Sequence, residues 1–226
     1  MKFKIIFTFA AISSSLMFGV VVAQHGPLTW KNSHKSIVSV IPTWPGFSRP
    51  GRGAPDGTSP EGSGFYFSVN GGKTNIIFTA AHVINNATSI EIINFNGSTY
   101  SASLQKIDWK RDIAILIAEL EGLSLAYSEK SLEIGSHVCA IGNPFGLGPS
   151  LSCGIISGLH RRNLGFNQIE DFIQTDAAVN PGSSGGALVD QNGELLGMIS
   201  TIYTKDADID AGVNFVIPLR MLLLQD

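Results

Sequence analysis

The sequence predicts an all-β fold made of two six-stranded barrels set side by side. Three observations carry this. Short runs rich in Val, Ile, Phe and Thr recur along the chain, each bounded by Gly, Asn, Ser or Asp, the punctuation of antiparallel strands and tight turns. No long amphipathic helical pattern interrupts them. The charged fraction is only 15%, against roughly 25% in an ordinary soluble domain, so 226 residues hold enough apolar sequence for a sizeable core. That low charge also argues against a disordered chain or a coiled coil. The net charge is −3 and no Lys/Arg run exceeds two residues, so no nucleic-acid partner is expected. Cysteines and histidines do not cluster at metal-ligand spacing, and neither a metal nor another cofactor is expected.

The first element is an address. Met1-Lys2-Phe3-Lys4 is a short basic start, Ile5 to Val22 carries no charge, and Val21-Val22-Ala23 offers the small residues that a signal peptidase cuts after. Residues 1–23 are expected to be a cleaved signal peptide. A retained anchor is the alternative, because the apolar stretch approaches spanning length, but Ser13-Ser14-Ser15 interrupts it. Cleavage removes Lys2 and Lys4 and takes the net charge from −3 to −5. The remaining chain is expected to be secreted or periplasmic, without stable membrane insertion. Residues 24–61 divide into a polar arm (Gln24–Lys35), a first strand and an exposed Pro/Gly-rich loop (Thr43–Gly62). The main domain is expected over 62–226.

Strands are predicted at Ser36–Ile41, Gly64–Val69, Asn75–Thr79, Ser89–Asn94, Thr99–Ile107 and Ile113–Ala118. A second series covers His137–Ile141, Leu151–Ser157, Asp171–Thr175, Gly186–Val189, Leu195–Thr201 and Val213–Pro218. The division near Leu120–Leu132 puts the first barrel at about 36–120 and the second at about 132–218. A single helical turn is expected after His82 and a short helix from Arg220. Cys139 and Cys153 flank a turn between two strands. An exported protein permits a bridge between them, and two small buried thiols are the alternative. Asn86-Ala87-Thr88 and Asn96-Gly97-Ser98 match glycosylation acceptors.

Gly182-Ser183-Ser184-Gly185-Gly186 is the strongest candidate for chemistry. Flanking glycines permit positive φ and close approach of another molecule to the backbone, whose amides can then converge on an oxyanion. The pentad also fits the G-x-S-x-G elbow of α/β-hydrolases, but those place a histidine after the serine, and none of the 42 residues following Ser184 is histidine. A general base must therefore lie upstream. His25 and His34 fall in the polar arm, His160 in a polar turn and His137 at a strand start. His82 ends Thr79-Ala80-Ala81-His82, directly after the apolar strand Ile76-Ile77-Phe78; taken alone it reads as a core histidine. Asp112 opens the apolar run Ile113–Ile117, where a carboxylate is either a partly buried acid with a partner or a surface cap. Asp108 sits among polar neighbours and reads as more exposed. The order His82, Asp112, Ser184 is that of one trypsin-type arrangement; the subtilisin order would need an acid before His82, where Asp56 in a Pro/Gly loop is the only Asp.

Together, Thr79-Ala80-Ala81-His82-Val83, Asp112-Ile113-Ala114, Gly142-Asn143-Pro144-Phe145-Gly146, the segment Gln174 to Gly186 and Gly212-Val213-Asn214-Phe215-Val216-Ile217-Pro218 resemble the protease domain of the HtrA/Deg serine proteases, over roughly Gly62 to Pro218. The resemblance implies a trypsin-like double β-barrel with its site in the cleft between barrels. It implies His82 as general base, Asp112 as its orienting acid, Ser184 as nucleophile and the amides of Gly182 and Ser184 as oxyanion hole. It also implies Ala178, six before the nucleophile, at the base of the substrate pocket, with Ser200, Thr201 and Ile202 as the wall where substrate pairs as an added strand. Without a carboxylate at that base, cleavage is expected after small or medium aliphatic residues, in unfolded or damaged polypeptides.

The chain departs from the pattern in three places. Ser183 stands where Asn is usual, and cannot form the ion pair of trypsin-type zymogen activation. The sequence runs only eight residues beyond Pro218, too few for a PDZ domain, and Leu219–Asp226 is short for a closing helix. Homo-oligomers are common in the family, but Gln24–Lys35 offers few apolar residues for an interface. Two other functions use the same atoms or fold: a non-proteolytic or latent binding module, and an esterase of small acyl groups.

Overall fold

The computed structural model describes residues 25–46, 61–202 and 212–224. The predicted signal segment 1–23 lies outside them, as does most of the predicted exposed loop. Twelve strands form two closed antiparallel barrels. The first consists of β1 (Ile37–Thr43), β2 (Gly62–Tyr66), β3 (Lys73–Ala80), β4 (Ser89–Ile93), β5 (Thr99–Asp108) and β6 (Ile113–Leu123), in the order β1-β2-β3-β6-β5-β4. The second consists of β7 (His137–Gly142), β8 (Ser150–Arg161), β9 (Phe172–Thr175), β10 (Ala187–Asp190), β11 (Leu195–Ile202) and β12 (Asn214–Pro218), ordered β10-β11-β12-β9-β8-β7. Every predicted strand has its counterpart. β6 and β8 run farther than expected because their polar ends stay paired, Gly122 with Thr74 and Arg161 with Phe172.

The cores follow from alternation and closure. Phe65 stacks on Phe78 at 6.0 Å, and Phe67 meets Phe78 edge-on at 5.7 Å. Burying each such side chain contributes about 1.5–3 kcal/mol, before entropy is counted against it. The segment between β6 and β7 ties the barrels together: Tyr127 packs its ring on Phe67 at 5.8 Å while pairing with Leu195 of β11. Inside the second barrel, Val138, Ile156, Ile173, Leu188, Ile199 and Val216 form a separate apolar cluster.

The expected arm is a correction. His25–Ser33 is an α-helix, α1, followed by a tight 3-10 turn at His34–Ser36. Its weak apolar stripe concealed it: Trp30 packs against the core, and polar bonds dock the rest. Thr29 Oγ1 donates to the Gln191 carbonyl at 2.8 Å, and Asn32 Nδ2 to the Asn192 carbonyl at 2.8 Å, both in the β10–β11 turn. The short C-terminal helix α2 spans Leu219–Leu223, and the turn near His82 spans Ala81–Ile84, including the histidine. Cys139 and Cys153 face each other across β7 and β8 and are joined as a disulfide. Asn86 and Asn96 lie in exposed turns. Among the described residues, no helix is long and apolar enough to cross a membrane.

Candidate active site

Strand register assembles the first half of the site. β3 and β6 run antiparallel with Ala80 opposite Ile113, so the residue just beyond β3 and the residue just before β6 share one barrel end. Those residues are His82 and Asp112. Asp112 takes the left-handed conformation, φ 59°, and its carbonyl accepts the Ala81 amide at 3.2 Å. The turn aims its carboxylate back at the histidine. Oδ1 accepts the His82 amide at 2.9 Å, and Oδ2 accepts His82 Nδ1–H at 2.8 Å. A carboxylate in this position can only accept, so Nδ1 carries the proton and Nε2 of the neutral ring keeps its lone pair.

Exposure divides the pair: 47% of the His82 side chain is accessible against 10% of that of Asp112. The ring can meet a substrate while the acid stays shielded. Desolvation is the largest single influence on the imidazole and lowers its pKa. The hydrogen bond to Asp112 and the charge of Asp112 together outweigh it, holding His82 above its ordinary 6.5.

The second barrel brings Ser184. The β9–β10 loop is bound to β11 by Gly185 N–H on the Ile199 carbonyl and Ile199 N–H on the Gly186 carbonyl, each 2.8 Å. It also lies against the first barrel: a Cβ on Gly185 (φ 84°) would sit 2.2 Å from the Ser63 carbonyl oxygen and 2.5 Å from Thr79 Oγ1. Only glycine permits this approach. Ser184 Oγ–H donates to the Ser200 carbonyl at 3.1 Å, and Ser200 Oγ–H donates to Asp112 Oδ2 at 3.0 Å. Ser184, Ser200, Asp112 and His82 thus form one hydrogen-bonded string across the cleft. The hydroxyl has a single proton, here directed at Ser200. Transfer of that proton to His82 requires the hydroxyl to leave the Ser200 carbonyl.

The peptide planes beside Ser184 are oriented one by one. The Pro181 carbonyl accepts Phe145 N–H at 2.7 Å, and the Ser183 carbonyl accepts Gly186 N–H at 2.9 Å. In a trans peptide N–H and C=O point oppositely, so the amides of Gly182 and Ser184 face away from those bonds. Among the described residues neither amide has an acceptor in the protein. Two free donors beside a serine hydroxyl can stabilise an oxyanion.

The other predicted site residues fall differently. Ala178 is exposed and, with Asn180, Ser183 and Ile199, lines part of a small cavity of about 70 Å³. Asp176, the nearest carboxylate in sequence, is turned to the Ile155 amide at 2.7 Å. Ser200 is buried, with its hydroxyl on Asp112 and its carbonyl accepting from Ser184. The side chains of Thr201 and Ile202 lie outside the described residues, as does 203–211. His160 pairs with Asp171, His34 bonds the Trp30 carbonyl, and Asp108 pairs with Arg111, all away from this string. Sequence reasoning missed the support from Ser63 and Asn143. The Gly-Ser-Gly around Ser63, at the start of an apolar strand, was the available signal. Among the described residues, no group of three or more His, Cys, Asp or Glu is placed to hold a metal ion.

Comparison with known proteins agrees with this geometry. The model of the trypsin-like peptidase domain family matches residues 62–198. The chain is similar to the periplasmic serine endoprotease DegP of Escherichia coli K12, 39% identical over 165 residues, 71% of this chain and 34% of that protein. It is also 42% identical over 154 residues to a probable periplasmic serine endoprotease, DegP-like, of Buchnera aphidicola, covering 66% of this chain and 33% of that one. The chain therefore spans about a third of the length of these curated relatives. Among solved structures, the HtrA-type protease AlgW with tripeptide superposes with a TM-score of 0.76 at 33% identity, covering 87% of this chain and 60% of that chain.

Proposed function

The chain belongs to the trypsin-like peptidase domain family, and from that premise we propose that it is an exported serine endopeptidase that works through an acyl-enzyme. The observation that carries this is the His82–Asp112 pair set at the same cleft as the Ser184 hydroxyl and its two unpaired neighbouring amides. Ser184 Oγ attacks the scissile carbonyl while His82 Nε2 takes its proton. The oxyanion forms against the Gly182 and Ser184 amides, each such donor contributing on the order of 3 kcal/mol. His82 then protonates the leaving amine, and water, activated by the same ring, releases the acid. Asp112 holds the ring in the required tautomer and stabilises its charged form.

The exposed methyl of Ala178, with Asp176 turned to a backbone amide, supports cleavage after small or medium aliphatic residues. A lysine side chain would find no partner at such a site, and desolvating it would cost several kcal/mol. Export to the periplasm or beyond agrees with the periplasmic relatives and the basic-then-apolar start of the sequence.

A fluorophosphonate probe and a peptide library test the reading. Phosphonylation of Ser184, abolished by S184A and by H82A, is expected, with library cleavage after Val, Ala or Leu and activity on casein. No labelling of the folded protein would support the latent binding module, which the inward direction of the Ser184 proton favours. Ester hydrolysis without casein cleavage would support the esterase. Dominant cleavage after Lys or Arg would refute the substrate assignment.

A further inference from the structure

The amides of Gly182 and Ser184 face a substrate only if the carbonyls of Pro181 and Ser183 are turned away, and here all four consecutive carbonyls from Pro181 to Ser184 are fixed. Each is bonded: Pro181 to the Phe145 amide, Ser183 to the Gly186 amide, Ser184 to the Ser63 amide at 2.8 Å, and Gly182 to Ser63 Oγ at 2.7 Å. Three of these donors are backbone groups. The fourth is the hydroxyl of Ser63, on β2 of the opposite barrel. It grips the peptide plane that lies between the two donor planes, beside a glycine at φ 96°; the other edge of that plane is held by Ser183 N–H on the Asn180 carbonyl at 2.9 Å.

From this we infer that Ser63 is a positioning residue for oxyanion stabilisation, acting through the Gly182–Ser183 peptide; the inference rests on the peptidase reading above. Ser63 is fully buried and all its polar groups are engaged. Oγ also accepts the Asn143 amide at 2.7 Å, and the carbonyl accepts Thr79 Oγ1–H at 2.7 Å. The Asn143 bond matters because Asn143 begins the turn that carries Phe145, the residue gripping the Pro181 carbonyl. One hydroxyl therefore braces both sides of Gly182. There is no room to replace this bracing with bulk: a Cβ on Gly142 would lie 2.9 Å from Ser63 Oγ, and one on Gly182 would lie 2.4 Å from the Asn143 carbonyl oxygen. Without the hydroxyl, the central plane keeps only the Ser183 N–H bond to the Asn180 carbonyl at 2.9 Å, and its own carbonyl, left without a donor, can tilt toward the place where negative charge develops. Ser63 touches neither substrate nor proton, so its loss should weaken the transition state far more than ground-state binding.

The test compares S63A and S63C with the parent chain. The readouts are kcat and KM on an aliphatic peptide substrate, inhibition by a matching peptide aldehyde, inhibition by the cleavage-product peptide, the pH profile of kcat/KM, and thermal unfolding. Expected for S63A is a fall in kcat of roughly 10- to 100-fold, less than the 10²–10³ for removing an oxyanion donor outright. Aldehyde affinity should fall in parallel, with KM, product affinity and the midpoint of the acid limb little changed. S63C should lie between S63A and the parent, because a thiol is a weaker donor. A folded S63A with kcat and aldehyde affinity within twofold of the parent would overturn the inference. So would equal losses of aldehyde and product affinity that follow a lowered melting temperature, the signature of a structural role. If the parent itself fails to react with fluorophosphonate, the peptidase reading falls and the inference with it; a reactive parent with an unaffected S63A overturns the inference alone.

Discussion

Replacing Asp112 by asparagine keeps the size of the side chain and removes what the geometry requires of it. Three donors converge on the carboxylate: the His82 amide at 2.9 Å on Oδ1, with His82 Nδ1–H at 2.8 Å and Ser200 Oγ–H at 3.0 Å on Oδ2. An amide offers one oxygen and one NH2 group. If the oxygen keeps the His82 backbone amide, the NH2 group faces Nδ1, which must give up its proton. The proton then moves to Nε2, where it blocks acceptance of the serine proton. The reverse orientation sets NH2 against the backbone N–H, an unsatisfied pairing costing about 1–3 kcal/mol. Either way the charge-assisted bond to the imidazolium is lost, a further ~1.5–3 kcal/mol at the transition state. The combined loss lowers kcat/KM by roughly 10²- to 10⁴-fold. Initial rates on an aliphatic chromogenic peptide, with circular dichroism to verify folding, measure it. A folded D112N variant within tenfold of the parent would refute the assigned role of the acid.

Three further outcomes follow from the same structure. Because Asp112 outweighs desolvation and raises the His82 pKa, the acid limb of kcat/KM should have its midpoint above 6.5; in D112N only desolvation remains and the midpoint should fall below that value. The stability that His82 draws from Asp112 is complete below the unfolded pKa and is lost as pH rises through the folded one, so urea melts of parent and D112N at about pH 5.5 and about pH 8.5 should show the gap narrowing upward. The Cys139–Cys153 bridge closes a separation of 14 residues, and replacing both cysteines by alanine should cost about 2–4 kcal/mol of stability in urea while leaving room-temperature activity within about twofold. Unchanged stability would show that the bridge adds nothing to the fold.

Local chemistry is what a sequence exposes, and in this protein it was enough for the barrels. Strand periodicity and turn residues act over a few positions, so all twelve strands were legible. The order of His82, Asp112 and Ser184, the small residues before the histidine and the glycines around the serine were likewise visible. The α1 helix was not, because what holds it is long-range: two side-chain bonds to a turn some 160 residues away and Trp30 against the core. The same holds within the site. Ser200 was expected along a substrate wall; that its hydroxyl engages Asp112 emerged only when the cleft closed. Ser63 carried no signal beyond a serine between glycines until β2 came against the β9–β10 loop. Residue type and spacing set which groups can donate or accept; which donor meets which acceptor is decided by the packing of two separately closed barrels, a contact between distant segments that no local pattern encodes.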